Sequence, residues 1–167
     1  KHLSDNSDLE LETFVHGALC VSYSGQCLMS SLIGGRSGNR GRCAQPCRKA
    51  YTLIDMDGNI QPDSYKKAYL LSTKDLNTIK HLDEIIRAGV KSLKIEGRMK
   101  RPEYVAIVVK HYKEALNDIA EKGKAEISND AYMELESAFN RGFTHGFLFN
   151  KKKSEIVNTT KPSNRGI

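Results

Sequence analysis

The sequence predicts an α/β fold, and within that class part of a (β/α) barrel. Beyond residue 67, strand-like and helix-like segments alternate, as they do in βα units. The helix-like segments carry the expected punctuation, with Pro102 as an opener and Gly89 and Gly142 as stops. A complete eight-stranded barrel takes about 200 to 250 residues. This chain has 167, so a partial barrel is the expectation.

Taken in order, Leu9 to Val15 alternates like a strand, with Leu11, Thr13 and Val15 on one face and Glu12, Phe14 and His16 on the other. Gly17 to Lys49 is rich in Gly, Ser, Cys and Arg and lacks regular periodicity. So long an irregular stretch inside a compact domain is usually functional. A short helix is expected within it, around Leu28 to Leu32. Tyr51-Thr-Leu-Ile and the residues after Asn59 flank Asp57-Gly58, a hairpin signal. Lys67 to Ser72 reads as a strand. Leu76, Ile79, Leu82, Ile85 and Ile86 then recur at helical spacing, and Val90 to Ile95 is a strand. Pro102 opens the clearest helix, with Val105, Val108, Val109, Tyr112, Leu116 and Ile119 along one side. The last helix runs from near Ser128 through Tyr132, Leu135 and Phe139 to Gly142. In domain terms, residues 1–150 form one α/β domain containing a cysteine-rich loop over 17–50. Residues 151–167 form a basic, loose tail or linker.

Composition narrows the function classes. The chain is 39% hydrophobic and 28% charged, which suits a globular domain. No apolar run approaches the roughly 20 residues that cross a bilayer. The polar, acidic first dozen residues do not resemble a signal peptide, and the expectation is a cytoplasmic protein with no membrane partner. A start at Lys1 and an end without an obvious terminal element read as an excised segment. The net charge of +6 favours polyanionic partners such as RNA. Arg36, Arg40, Arg42, Arg48 and Lys49 cluster with no acid between Gly34 and Ala50, and Lys94, Arg98, Lys100 and Arg101 form a second group. Either cluster reads as a phosphate cradle or, equally well, as a solvated basic surface.

All four cysteines fall in one window, Cys20, Cys27, Cys43 and Cys47, spaced C-x6-C-x15-C-x3-C. Flanking glycines and Pro46 let the backbone turn around a small object, and neighbouring cations favour thiolates. Two disulfides fit poorly, since nothing marks the chain as secreted. A four-cysteine zinc site usually pairs cysteines two to four residues apart, which only Cys43 and Cys47 satisfy. An iron–sulfur cluster tolerates irregular spacing and takes four thiolates. On spacing alone zinc and iron–sulfur both remain open.

Several blocks carry a resemblance. Glu12-Thr-Phe-Val-His-Gly-Ala-Leu-Cys20 with Ser24-Gly-Gln-Cys27-Leu-Met-Ser30, and Asn39-Arg-Gly-Arg-Cys43-Ala-Gln-Pro-Cys47-Arg48, are similar to the signature of peptidase family U32. Ser92-Leu-Lys-Ile-Glu96-Gly-Arg98-Met-Lys, Pro102-Glu-Tyr-Val and Phe139-Asn-Arg-Gly-Phe-Thr-His-Gly-Phe-Leu148 resemble its later blocks. The resemblance spans nearly the whole chain. It implies the C-terminal half of a TIM-like barrel, without its first strands. The family's name implies a collagenase-like protease. Relatives with an assigned chemistry hydroxylate bases in transfer or ribosomal RNA, or the ubiquinone ring, and carry a four-iron, four-sulfur cluster. Carried over by motif, Cys20, Cys27, Cys43 and Cys47 would be the ligands.

The strand ending at Arg98 places Leu93 and Ile95 on one face and Lys94, Glu96 and Arg98 on the other. In a barrel the charged set points inward, where charges must be paired or used. An internal ladder of ion pairs accounts for this row. The functional alternative puts Glu96 and Arg98 in a catalytic site at the strand's C-terminal tip, with Lys94 beside the phosphate-binding arginines. His16, just before the cysteine loop, is a candidate for acid–base work or substrate contact, and equally for a structural histidine. His145 is similarly ambiguous.

Three functions follow. One is an iron–sulfur enzyme of RNA base hydroxylation. The second is a peptidase with a peptide substrate, although the sequence has neither a Gly-x-Ser-x-Gly elbow nor a His-Glu-x-x-His zinc motif. The third is a zinc-stapled nucleic-acid-binding module. A half barrel would expose sheet edges and apolar helix faces, so self-association is also expected.

Overall fold

A long helix laid across a small sheet supplies the core. The computed structural model describes residues 1–62, 64, 68–149, 156–159 and 161. Strands β1 (Glu12–Ala18), β2 (Asp75–Asn77), β3 (Ser92–Glu96) and β4 (Phe143–Thr144) form one sheet in the order β3-β1-β2-β4. Besides the single turn α1 (His2–Asp5), the helices are α2 (Met29–Gly34), α3 (Leu82–Arg87), α4 (Pro102–Lys122) and α5 (Asn129–Ala138). The fold is α/β. A (β/α) barrel has parallel neighbours throughout, and here β1 is parallel to β3 but antiparallel to β2, which is in turn parallel to β4. The sheet is therefore mixed.

Helix α4 begins with Pro102 in its first turn and ends on Gly123 in the left-handed conformation, whose N–H closes on the Ile119 carbonyl at 2.9 Å. Its buried stripe is Tyr104, Val108, His111, Tyr112 and Ala115. Val105 and Val109, expected on that stripe, are exposed. The polar tips of Tyr112 and His111 have partners, which lets these larger residues take the inward positions. The Tyr112 hydroxyl donates to the Val15 carbonyl at 2.8 Å, and the His111 ring nitrogens meet Glu114 at 3.1 Å and Glu134 at 2.8 Å. In α5 the Ser128 hydroxyl caps the helix by accepting from the Ala131 N–H at 3.1 Å. That helix stops at Ala138, short of the expected Gly142, because Phe139 is already extended.

Strand β1 departs from simple alternation. Its register against β3 shifts between Phe14 and His16, so Val15 and His16 are both buried. Gly17 follows at φ 110°, where a Cβ would strike the Glu96 carbonyl. A side chain there would push β3 away.

The helical spacing read from Leu76 breaks at its start. Asp75–Asn77 is strand, and a 3-10 turn over Ile79–His81 leads into α3. Thr78 makes the corner by donating both its N–H (3.1 Å) and its hydroxyl (3.0 Å) to the Val15 carbonyl. The strand expected over 67–72 is not found among residues 68–72, which turn instead, and Lys67 lies outside the described residues. The hairpin at Asp57-Gly58 is reduced to one bridge, Ile54 to Ile60, around an Asp55 carboxylate that accepts from the N–H groups of Asp57 and Asn59. Those bonds hold the Asp55 carboxyl below its usual range. Residues 156–159 depart from the loose tail expected. Ile156 is buried, Val157 bridges Thr73, and Asn158 donates to the Arg141 carbonyl at 3.1 Å. Residues 151–155 lie outside the described set.

Candidate functional site

Between β1 and residue 50 the chain makes only α2 and two short 3-10 turns, Gly38–Arg40 and Pro46–Arg48. Beyond its local turns, side chains tie it internally: the Ser30 hydroxyl accepts from the Ala44 N–H at 2.9 Å, and the Asn39 amide donates to the Gly25 carbonyl at 3.0 Å. Two arginines fasten it to the sheet. Arg48 donates to the Leu19 carbonyl at 2.7 Å, to the Ser72 hydroxyl at 3.4 Å and to the Thr73 carbonyl. Arg98, just beyond β3, donates to the carbonyls of Gly41 and Cys43. The Arg98 N–H in turn bonds the Glu96 carboxylate at 2.8 Å. Glu96 and Arg98 are thus brought to the cysteine segment, as buttresses of its backbone.

The four cysteines are free thiols, with Cys20 exposed and the others half-buried. Burial pushes the Cys47 thiol up. Arg48 opposes this, while Cys20, Cys43 and Cys27 lie close enough to add to the rise. Among the described residues, no three His, Cys, Asp or Glu side chains stand at distances that would hold a metal ion. In kind and neighbourhood the donor set fits a thiolate-bound centre, and coordination would require the thiols to close on one another.

The other candidates separate. Lys94 sits on the open face of the edge strand β3, paired with Glu12 at 3.2 Å and half-exposed. The inward charged row is therefore split, because an edge strand without a lumen leaves that face in water. Ser92 and Lys94 hold the Glu12 carboxyl below its usual range. Arg36, Arg40 and Arg42 are exposed, with Arg36 donating to the Arg42 carbonyl at 2.9 Å. Arg48 is instead spent on the fold. His16 is 1% exposed, its ring packed edge-on against Tyr112 and Phe143 and tilted against Tyr104. Burial drives its pKa down to about 3, so it is neutral. Of the two expectations for His16 this burial suits the structural one: the bulge in β1 turns its ring into the core. His145 packs against the rings of His81 and Phe149.

Sequence reading missed a second group. Arg141 and Asp75 form a buried ion pair at 3.1 Å, reinforced by the Arg141 N–H donating to the same carboxylate at 2.9 Å. Lys100 lies beside them, its Nζ 2.7 Å from the centre of the Phe139 ring, and burial lowers its pKa to about 8. The two basic residues sat in recognisable blocks, but nothing local connected them across the chain.

The model of peptidase family U32 matches residues 1–158. The chain belongs to that family. It is 40% identical over 168 residues to the Escherichia coli (strain K12) 23S rRNA 5-hydroxycytidine C2501 synthase, covering 96% of this chain and 25% of that protein. It is 40% identical to a Porphyromonas gingivalis (strain ATCC BAA-308 / W83) collagenase, over 88% of this chain and 36% of the relative. It is 36% identical to the Bacillus subtilis (strain 168) tRNA hydroxylation protein P1, over 89% of this chain and 36% of the relative. This U32 chain therefore spans only about a quarter to two fifths of the length of such relatives. No solved structure matches it. Among the described residues, no helix is long and apolar enough to cross a membrane.

Proposed function

We propose that this U32 chain is the cysteine-bearing part of an iron–sulfur-dependent enzyme of RNA base hydroxylation. The observation that carries the reading is the set of free thiols around Cys47, on a segment fastened by Arg48 and Arg98 to the ends of β1 and β3. Cys20, Cys27, Cys43 and Cys47 would hold the cluster, which when bound supplies one-electron chemistry. Arg48 and Arg98 hold the backbone of the ligand segment in place, and Glu96 orients Arg98. Exposed Arg36, Arg40 and Arg42 offer phosphate contacts, whose affinity should fall steeply with salt. Relatives named for rRNA and tRNA hydroxylation support RNA as the substrate class.

The partial-barrel reading draws support from the parallel β1–β3 pair and the helix that follows β3, with antiparallel β2 as its outlier. The sheet's open edges, β3 and β4, provide a route to self-association.

A second reading, a peptidase, rests on the relative named collagenase. Its weakness is physical: buried, neutral His16 is badly placed to activate a cysteine nucleophile.

The test is iron and acid-labile sulfide content after anaerobic purification of the native chain and a Cys43→Ser variant. Iron with matching sulfide, lost in the variant, is the expected result. Stoichiometric zinc would favour a nucleic-acid-binding module. Absence of metal from both proteins would sink the cluster and leave peptide hydrolysis as the assay to run.

A further inference from the structure

A cleft of about 440 Å³ opens beside the cysteine segment, between the end of β3, the first turns of α4 and the bend at Phe139–Arg141. Its charged lining is Arg98, Lys100, Arg101 and Arg141 against a single acid, Glu103. Arg98 is committed to the carbonyls of Gly41 and Cys43. Arg141 is 9% exposed and pairs with Asp75, yet its Nε is buried without a partner among the described residues. Lys100 is half-buried over the Phe139 ring and has no carboxylate in ion-pair range among the described residues. Burial and the neighbouring Arg141 work against its charge, and the more distant carboxylates of Asp75 and Glu96 offset them only in part. Helix α4 starts at the same place, and no side chain caps its first turn. The positive end of a 21-residue helix therefore adds to the cations.

Cations crowded this way, with one guanidinium nitrogen unpaired, are costly without an anion. The lining also includes apolar Tyr104, Ile107 and Phe139, the last lying directly against Lys100. The cleft has more room than a bare ion needs, and cations set among apolar lining suit a phosphate carrying a sugar and base.

We propose that the cleft is a phosphoryl-binding subsite, in which Lys100, Arg141 and the first turn of α4 hold a phosphate of bound RNA. The RNA source of that phosphate rests on the function proposed above. The site itself rests on the geometry of the cleft.

The test is a pair of titrations on the whole chain, one with inorganic pyrophosphate by calorimetry and one with a fluorescein-labelled uridine oligoribonucleotide by anisotropy. The proteins are the native chain, Lys100→Gln and Lys100→Arg, each checked for folding by circular dichroism. Folded Lys100→Gln should bind both ligands about tenfold more weakly, as expected for loss of a charge-assisted phosphate contact, and Lys100→Arg should recover most of the affinity. The salt slope for the oligonucleotide should fall by about one in Lys100→Gln. Pyrophosphate binding that depends on Lys100, without oligonucleotide binding, would keep the phosphoryl site but overturn RNA as its source, together with the RNA function. Oligonucleotide binding indifferent to Lys100 would overturn the subsite and leave the RNA function standing. Native protein that binds neither ligand would overturn both.

Discussion

Val15, Ile79, Leu82, Val108 and Leu135 have no exposed surface, whereas between residues 19 and 50 only Ser30 is buried. The first group belongs to one core cluster drawn from β1, α4, α5 and the turn into α3, where apolar area and ring packing supply the stabilisation. The second is fastened by guanidinium bonds to carbonyls and leaves Leu28, Leu32 and Ile33 exposed. The difference teaches that folding of the domain and ordering of the cysteine segment are separable. The core stands on its own burial, and the cysteine segment depends on side-chain bonds to its carbonyls, from Arg48, Arg98, Thr73 and Tyr51, and, under the proposed function, on a metal centre.

The largest effect should come from the core. Leu135→Ala removes a fully buried side chain and should cost about 2 to 5 kcal/mol in denaturant unfolding. If the regions are separable, hydrogen exchange in 19–50 should quicken in that variant only as far as the whole molecule is destabilised.

A smaller effect per pH unit should appear on mild acidification. His16 has a folded pKa of about 3 against an ordinary 6.5, so on acidification the unfolded chain takes up its proton first. Its contribution is fully present above pH 6.5 and is lost as pH falls toward about 3. The slope contributed is at most about 1.4 kcal/mol per pH unit. Urea midpoints measured either side of that upper bound should show His16→Leu losing less stability on acidification than the native chain. Equal losses would mean that His16 takes a proton within the fold.

The smallest global effect should follow Arg48→Ala. The variant should leave the thermal midpoint nearly unchanged while trypsin cuts at Arg36, Arg40 and Arg42 about tenfold faster, because local opening governs such cleavage. Arg48→Lys should not restore protection, since one ammonium cannot reach three acceptors as a planar fork does. A matching fall in the thermal midpoint would join the two regions into one cooperative unit.

Legibility in the sequence followed the range of the interactions. Helix α4 was readable because its opener and its apolar period lie within 21 residues. The cysteine window, the short helix near Met29 and strand β3 were readable for the same reason. Leu76 was misread because its spacing to Ile79 and Leu82 suits a helix, while Thr78 makes a corner using a carbonyl 63 residues away. The inward set on α4 was read one position off at Val105 and Val109, since hydropathy alone undervalues a tyrosine or histidine whose polar tip has a partner. The docking of 156–159 was hidden because the bonds that hold it are made mostly by backbone groups.

For the candidate site, the sequence by itself determined the chemistry: four thiols in one window, an arginine-rich flank and family membership, all carried by residue types and local spacing. The tertiary structure decided what each charge and ring does. It turned His16 into the core through a one-residue bulge and left Lys94 in water on an edge strand. It also set Arg48 and Arg98 to holding carbonyls 29 and 55 residues away in the chain. It paired Arg141 with Asp75 across 66 residues and gathered Lys100 beside them. A guanidinium's partner depends on which backbone passes within about 3 Å of it, and local pattern contains no information about that passage.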